Sequence, residues 1–165
     1  MQTSSENIKV QSKEGNEFTL TKKQAELSVL LKTTMQDFQG DIVVPLSELD
    51  EKTTAKVIDY LVHYDGQMPP EIEKPLKSAN IKEVTDAWSA EFIDSLSLED
   101  LVDVTVAANF MEIQPLLDLT CAKIASMCKD KSDEEIFDTF GVKENYTEEE
   151  KQKIREENKW IEENI

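Results

Sequence analysis

The chain has 165 residues, enough for one domain or for a compact domain with a helical extension. Its 35 acidic residues outnumber 18 basic ones, which gives a net charge of −17 at pH 7. A surface of that sign repels nucleic acids and anionic membranes, so we expect neither as a partner. The acidity fits a partner with basic faces and fits equally well a merely soluble, self-repelling surface.

The first third of the chain predicts a small sheet mixed with helices. Apolar residues alternate with polar ones on either side of a turn at residues 13–16, which predicts a β-hairpin. A capping box at residues 21–24 predicts a helix, and the apolar residues 42–44 predict a buried strand. A second helix is expected over residues 53–64, with four side chains facing inward: Val57, Ile58, Leu61 and Val62.

Residues 65–86 predict a flexible surface loop that takes no part in partner binding. This stretch holds Gly66, two adjacent prolines at 69 and 70, and Pro75 among charged residues. We expect limited proteolysis to cut there first, or in the terminal tail of the free protein, and deletion of residues 71–80 to leave partner binding intact.

The second half predicts helices only. One is expected over residues 98–109, and Pro115 suits the first turn of the next, where a missing N–H costs nothing. That helix places Leu117, Cys121, Ile124, Ala125 and Cys128 on one face. Capping boxes at residues 132–135 and 147–150 open two further helices. The element order therefore predicts an α/β (α+β) domain followed by a helical tail.

The tail from residue 143 onward is too polar to form a core of its own. Its apolar residues are Tyr146, Ile154, Trp160, Ile161 and Ile165. A tryptophan is costly to leave exposed, so Trp160 needs a surface to cover it. Two interpretations stay open with equal weight: Trp160 packs on its own domain, or it completes a partner's binding site.

The two cysteines, Cys121 and Cys128, are seven residues apart on a predicted helix. Their Cα atoms would be roughly 10 Å apart, too far for a disulfide within one chain. Two buried thiols in a reducing compartment are the simplest account. Together with a polar amino terminus, this predicts a cytoplasmic and nuclear protein.

Catalytic chemistry finds no support in the sequence, so we expect no enzyme, no cofactor and no metal. His63 is the only histidine, and no second one is available to activate Cys121 or Cys128. Two cysteines and one distant histidine do not form a metal site. The four glycines are isolated, so no phosphate-binding loop is present, and the carboxylates lie in charge runs typical of solvated faces.

Two long segments resemble the Skp family of SCF ubiquitin-ligase subunits. Residues 101–121, LVDVTVAANFMEIQPLLDLTC, are similar to the family's helix-turn-helix segment. Residues 131–163, KSDEEIFDTFGVKENYTEEEKQKIREENKWIEE, are similar to its F-box-binding tail, which plain BTB/POZ proteins lack. Residues 8–12 and 44–46 agree with the family as well, so the resemblance spans nearly the whole chain.

The resemblance implies a BTB/POZ fold over residues 1–128, followed by a two-helix F-box-binding extension over residues 129–165. It implies a non-catalytic adaptor that links F-box proteins to a cullin for ubiquitin-dependent protein degradation. A weak homodimer through either binding face is expected when no partner is bound. The residues that match the F-box groove are Val102, Leu117, Cys121, Ile124, Phe140, Val142, Ile154 and Trp160. Those that match the cullin contact are Asn109 and Phe110, with Pro45 and Leu46 as further candidates.

Two alternatives belong to other functional classes. One is a BTB-type adaptor that serves a complex without F-box proteins, and the family-like tail argues against it. The other is an acidic, chaperone-like protein that binds basic clients without sequence choice. Binding to polycations that is lost in salt would indicate the chaperone, whereas salt-tolerant binding to F-box peptides would indicate the adaptor.

Overall fold

The computed structural model of the chain describes residues 7–37, 42–143 and 146–162, the last two of these by backbone only. The chain separates into two units, Met1–Asp130 and Lys131–Ile165. The boundary lies two residues beyond the predicted division between residues 128 and 129.

A three-stranded sheet opens the first unit. Strands β1 (Asn7–Gln11) and β2 (Glu17–Thr21) form the predicted antiparallel hairpin, with Val10 opposite Phe18. Strand β3 (Ile42–Pro45) pairs parallel to β1, so the order is β2-β1-β3. Pro45 lacks the N–H that a central strand would need, and it is tolerated because β3 lies at the sheet edge.

Helices pack around this sheet and complete the first unit. A parallel strand pair needs a crossover, and two short helices between β2 and β3 supply it. The helices, in chain order, are α1 (Lys22–Ala25), α2 (Val29–Asp37), α3 (Glu51–Tyr64), α4 (Ala87–Asp94), α5 (Leu98–Phe110) and α6 (Gln114–Cys128). Among the described residues, the combination of one small sheet with helices confirms the predicted α+β architecture.

Helix α3 is fixed at both ends by local chemistry. The Asp50 carboxylate accepts a hydrogen bond of 2.7 Å from the Thr53 N–H, which satisfies one of the helix's free amide donors. After α3 the chain turns through Asp65 and Gly66, both at positive φ. A Cβ at Gly66 would lie 2.5 Å from the carbonyl oxygen of Lys23, so only glycine fits there.

The core confirms most of the predicted inward residues of α3 and corrects one. Val57, Ile58 and Leu61 are buried, whereas Val62 is 44% exposed. Val62 falls outside the buried face because that face is centred nearer to Val57 and Leu61 and extends on its other side to Tyr60, which is 1% exposed. The buried core links the sheet to α3, α5 and α6; its largest buried side chains include Ile8, Leu20, Leu31, Tyr60, Leu61, Leu101, Met111 and Leu116.

The expectation of a passive loop at residues 65–86 is wrong in one respect. Ile72 and Ile81 are both buried in the core, and a 3₁₀ turn runs over Ile81–Glu83. The Lys74 ammonium also lies 3.0 Å from the Asp118 carboxylate on α6. The sequence shows the segment's turn residues, but two isolated isoleucines do not form a periodic pattern that would predict burial.

The second unit consists of two helices, α7 (Asp133–Phe140) and α8 (Glu148–Glu162). Both predicted capping boxes are present. Ser132 accepts from the Glu135 N–H at 3.3 Å, and Thr147 accepts from the Glu150 N–H at 3.3 Å. Among residues 131–143 and 146–160, no side chain is buried.

Candidate functional site

Helix α5 is apolar on the face turned away from the core as well as on its buried face. Leu101 and Val104 are buried, yet Val102 is 47%, Val106 59% and Phe110 43% exposed. The spacing of four residues places these three on one side of the helix, which we call the α5 outer row. A surface helix ordinarily carries polar residues there, so the α5 outer row has the character of an uncovered binding surface.

Contacts at both ends of α5 hold the outer row in place. The Ser97 hydroxyl caps the first turn by accepting from the Asp100 N–H at 3.1 Å. A hydrogen bond from Lys52 on α3 holds the pKa of the Asp100 carboxyl below its usual value, so the ion pair between these helices persists at neutral pH. At the other end, the Ser28 hydroxyl donates to the Met111 carbonyl at 2.6 Å.

The residues predicted to contact a cullin differ in accessibility. Asn109, Phe110 and Pro45 are exposed, so their side chains are available to a partner. Leu46 is 0% exposed and belongs to the core, so its side chain cannot touch a partner directly. The motif at residues 44–46 alternates in and out, and Leu46 points inward because β3 ends there and the chain turns towards α3.

The predicted stripe of α6 lies opposite the fully buried side of the helix, although Leu117 and Ile124 still pack partly against the core. Its buried residues are Leu116, Leu119, Thr120, Ala122 and Ser126. The opposite face carries Leu117, Cys121, Ile124 and Cys128, which we call the α6 outer face. Cys121 is exposed and the other three are half-buried, so the face is apolar and partly uncovered.

The predicted pair of buried thiols is therefore wrong. Both cysteines are free, as the spacing predicts, but Cys121 is exposed and Cys128 is only half-buried. An apolar face on α6 predicts burial, but the helix packs mainly through its other face, which carries Leu116, Leu119 and Ala122.

The apolar residues of the second unit lack full cover. Phe140 is half-buried, and Val142, Ile154 and Trp160 are exposed, Trp160 by 63%. Most of the surface of this tryptophan is thus uncovered by its own chain. Trp160 is therefore available to a surface outside the second unit, which both interpretations require. The side chains of Ile161 and Ile165 lie outside those that the structure describes.

The structure places residues that the resemblance assigns to different partners on the same surface. Val102, assigned by resemblance to the F-box groove, lies on the α5 outer row together with the cullin candidate Phe110. Val106 was missed, although it stands midway between these two. The signal was available: α5 has apolar residues at every second position from 102 to 106, more than a one-sided helix requires.

His63 and the carboxylates show structural roles. The His63 ring stacks on Trp88 with ring centroids 3.6 Å apart. Within the ranges 7–37, 42–143 and 146–162, no three His, Cys, Asp or Glu side chains cluster in a way that could hold a metal ion.

None of the helices described there is both long enough and apolar enough to cross a bilayer.

Comparisons with known proteins cover nearly the whole chain. The family model described as Skp1 family, dimerisation domain, matches residues 114–161. An S-phase kinase-associated protein 1 homolog of Tetrahymena thermophila is 37% identical over 163 residues, 99% of this chain and 98% of that protein. This chain belongs to the Skp1 family.

Fungal members of the Skp1 family show the same extent of similarity. The E3 ubiquitin ligase complex SCF subunit sconC of Arthroderma benhamiae is 34% identical over 163 residues, covering 98% of each chain. The protein of the same description from Arthroderma otae is 34% identical over 162 residues, covering 97% of each. The Skp1 family model at residues 114–161 takes in α6, α7 and most of α8, so it includes the α6 outer face.

Proposed function

We propose that this chain is a non-catalytic adaptor of an SCF-type ubiquitin ligase, which links F-box substrate receptors to a cullin for ubiquitin-dependent degradation. The relatives described as SCF subunits support assignment to that complex. The observation that carries the proposal is a pair of apolar surfaces on two consecutive helices, the exposed α5 outer row and the partly uncovered α6 outer face. A protein that joins two partners needs two such surfaces.

The F-box protein is assigned to the α6 outer face and to the apolar residues of the second unit. Leu117, Cys121 and Ile124 offer one strip on a rigid helix, and an amphipathic partner helix binds such a strip through its own apolar face. Phe140, Val142, Ile154 and Trp160 supply further apolar contacts from a unit with no buried side chain among its described residues.

The cullin is assigned to the α5 outer row. Asn109 and Phe110 end this helix, and the Ser28 and Asp100 contacts give it a fixed orientation. Rigid presentation keeps the ordering cost of binding low, which suits a scaffold contact made without large rearrangement. Val106 belongs to this surface because it is the most exposed member of the row.

The adaptor role leaves catalysis to other subunits. We also propose a cytoplasmic and nuclear location, which imaging of the chain fused to a fluorescent protein would test. A steady exclusion of the fusion from both compartments would contradict it.

The test measures the affinity of the full chain for a recombinant cullin and for an F-box protein of the same organism. Val106→Lys should weaken cullin binding by about 30-fold or more while F-box binding stays unchanged, because an unpaired charge would be buried in one interface only. Cys121→Lys should do the reverse.

Val62→Lys is the matched control, since Val62 is 44% exposed on α3 and belongs to neither surface. It should leave both affinities unchanged. If both test variants weakened both partners equally, the two-surface assignment would be wrong. If neither partner bound the wild type, but histones bound and were released by salt, the acidic chaperone would replace the adaptor.

A further inference from the structure

A recess opens beside the α5 outer row, in the first unit. It has a volume of about 210 Å³ and its lining includes Lys13, Glu48, Leu49, Asp50, Asp103 and Val106. We call it the Val106 recess. Leu49 and Val106 contribute apolar groups to the lining. The charged groups of the lining are three carboxylates, on Glu48, Asp50 and Asp103, and one ammonium group, on Lys13.

Backbone hydrogen bonds build the recess from three elements. The Lys13 N–H in the turn of the β1–β2 hairpin donates to the Leu49 carbonyl at 2.8 Å. The Glu51 N–H at the start of α3 donates to the Glu14 carboxylate at 2.8 Å. Asp103 and Val106 come from α5. These bonds join the hairpin turn to the start of α3, and the ion pair between Lys52 on α3 and Asp100 on α5 joins α5 to the same end of α3, so contacts within the first unit hold the recess in shape.

The carboxylates of the recess divide into engaged and unengaged groups. The Thr53 N–H holds the pKa of the Asp50 carboxyl below its usual value, so Asp50 is charged and committed to the cap of α3. Glu48 and Asp103 are exposed, and neither makes a side-chain hydrogen bond or ion pair with any residue that the structure describes. Asp100, three residues before Asp103, differs because Lys52 already pairs with it.

We propose that the Val106 recess receives a lysine or arginine side chain of the partner that covers the α5 outer row. The inference rests on the proposed function and specifies that partner's chemistry as an apolar helix flanked by basic residues. A long basic side chain can lay its aliphatic stem along Val106, which is 59% exposed, while its charged end stays between Glu48 and Asp103 in contact with water. The recess then complements the basic side chain in both charge and shape.

The charge of the chain argues against other occupants. A second copy carries a net charge of −17 and would bring acidic surface against an acidic recess. Residues 131–165 hold six basic and twelve acidic residues, so the chain's own carboxyl-terminal unit is repelled as well. Nucleic acid is excluded by the same sign. A separate, basic protein is the occupant that the electrostatics favour.

Exposed charges at the edge of an interface act chiefly on the association rate, and salt screens them. Glu48→Gln combined with Asp103→Asn should therefore slow association with the cullin about tenfold at low ionic strength, with little change in the dissociation rate. The difference should disappear at about 1 M salt, where the screening length falls to about 3 Å.

The experiment uses the full chain and a recombinant cullin of the same organism, with association and dissociation rates measured across a salt series. The matched control is Glu71→Gln combined with Glu91→Gln, which changes net charge equally at two exposed positions outside the recess. F-box binding of every variant serves as the check of folding. A slowed recess variant beside an unaffected control supports the proposal.

Three results would overturn the proposal, and each has a distinct meaning. Equal slowing by both double variants would show that net charge acts and that the recess does not. If the recess variant associates with the cullin at the wild-type rate while Val106→Lys abolishes cullin binding, the recess does not take part in binding. The proposed function would still stand. The wild type could instead fail to bind the cullin and form a dimer. If sedimentation showed that Val106→Lys dissociates this dimer, the occupant of the recess would be a second copy of the chain.

Discussion

Trp160 offers the sharpest test of F-box recognition, because at 63% it is the most exposed of the large apolar side chains described in the second unit. The perturbation is Trp160→Ala in the full chain. We expect it to weaken F-box binding and to leave cullin binding unchanged, since the α5 outer row contains no residue from the second unit.

The magnitude follows from the exposed fraction. A tryptophan buries roughly 150–250 Å² when fully covered, and Trp160 is 63% exposed in the chain by itself. About 120 Å² is thus left for a partner to cover, worth about 3 kcal/mol at ~25 cal/mol per Å². Immobilising the side chain costs about 1 kcal/mol. The remaining ~2 kcal/mol corresponds to about a 30-fold loss of affinity.

The emission wavelength of tryptophan fluorescence reports directly on the solvent exposure of the Trp160 ring. Trp88 must be replaced by Phe, because it is the other tryptophan and stacks on His63 with centroids 3.6 Å apart. In the Trp88→Phe background, Trp160 emission should be that of a solvated indole. Addition of an F-box protein should shift it to shorter wavelength as the ring loses water.

Two results would refute this reasoning. A short-wavelength emission that does not change on F-box addition would mean that Trp160 packs on its own chain. An affinity loss below about threefold in Trp160→Ala would mean that the ring lies outside the interface. Phe110→Ala is the reciprocal control: it should weaken cullin binding and leave F-box binding intact, because Phe110 belongs to the α5 outer row.

Three further predictions follow from named contacts. Asn109→Lys with Phe110→Lys should abolish cullin binding while F-box binding persists in the same pull-down, and loss of both partners would indicate misfolding. Ile72→Ala should lower the free energy of unfolding by about 2 kcal/mol in urea titrations, because Ile72 is buried in the core; an unchanged midpoint would restore the passive-loop interpretation. Partial burial opposes ionisation of Asp86, but hydrogen bonds from Ser89 and Tyr64 outweigh it and lower the pKa of this carboxyl. A lowered pKa stabilises the fold above the carboxyl's unfolded value, so Asp86→Asn should destabilise at pH 7 and converge with the wild type as the pH falls below about 4; a constant difference across that range would contradict it.

The elements of this fold could largely be predicted from local sequence. The hairpin, α3, α5, α6 and the two capped helices of the second unit all carry start signals or apolar periodicity that act over a few residues. Helix α4 was not predicted, since residues 87–94 are too short a stretch for a periodic pattern. The core positions of Ile72 and Ile81 were missed for the same reason.

The candidate surfaces were only partly predictable. The α6 stripe follows from helical spacing and Asn109–Phe110 from a family-like motif; the structure leaves Cys121, Asn109 and Phe110 exposed and the rest of the α6 outer face half-buried. Leu46 was placed on a surface and lies in the core, whereas Val106 was overlooked and lies in the centre of the α5 outer row. Both residues are apolar, as a core or an interface residue would be. The sequence does not show whether the rest of the chain covers their side chains.

The acidic charge, most of the elements with their caps, and the resemblance to the family all follow from the sequence alone. These depend on residue identity and on spacing within one or two turns. Only the tertiary structure decided which of two apolar faces of α5 and α6 packs inward, because that depends on the sheet, α3 and the 65–86 segment, which lie far away in sequence. The Val106 recess is the same kind of feature: its carboxylates come from residues 48, 50 and 103, and only folding brings them together.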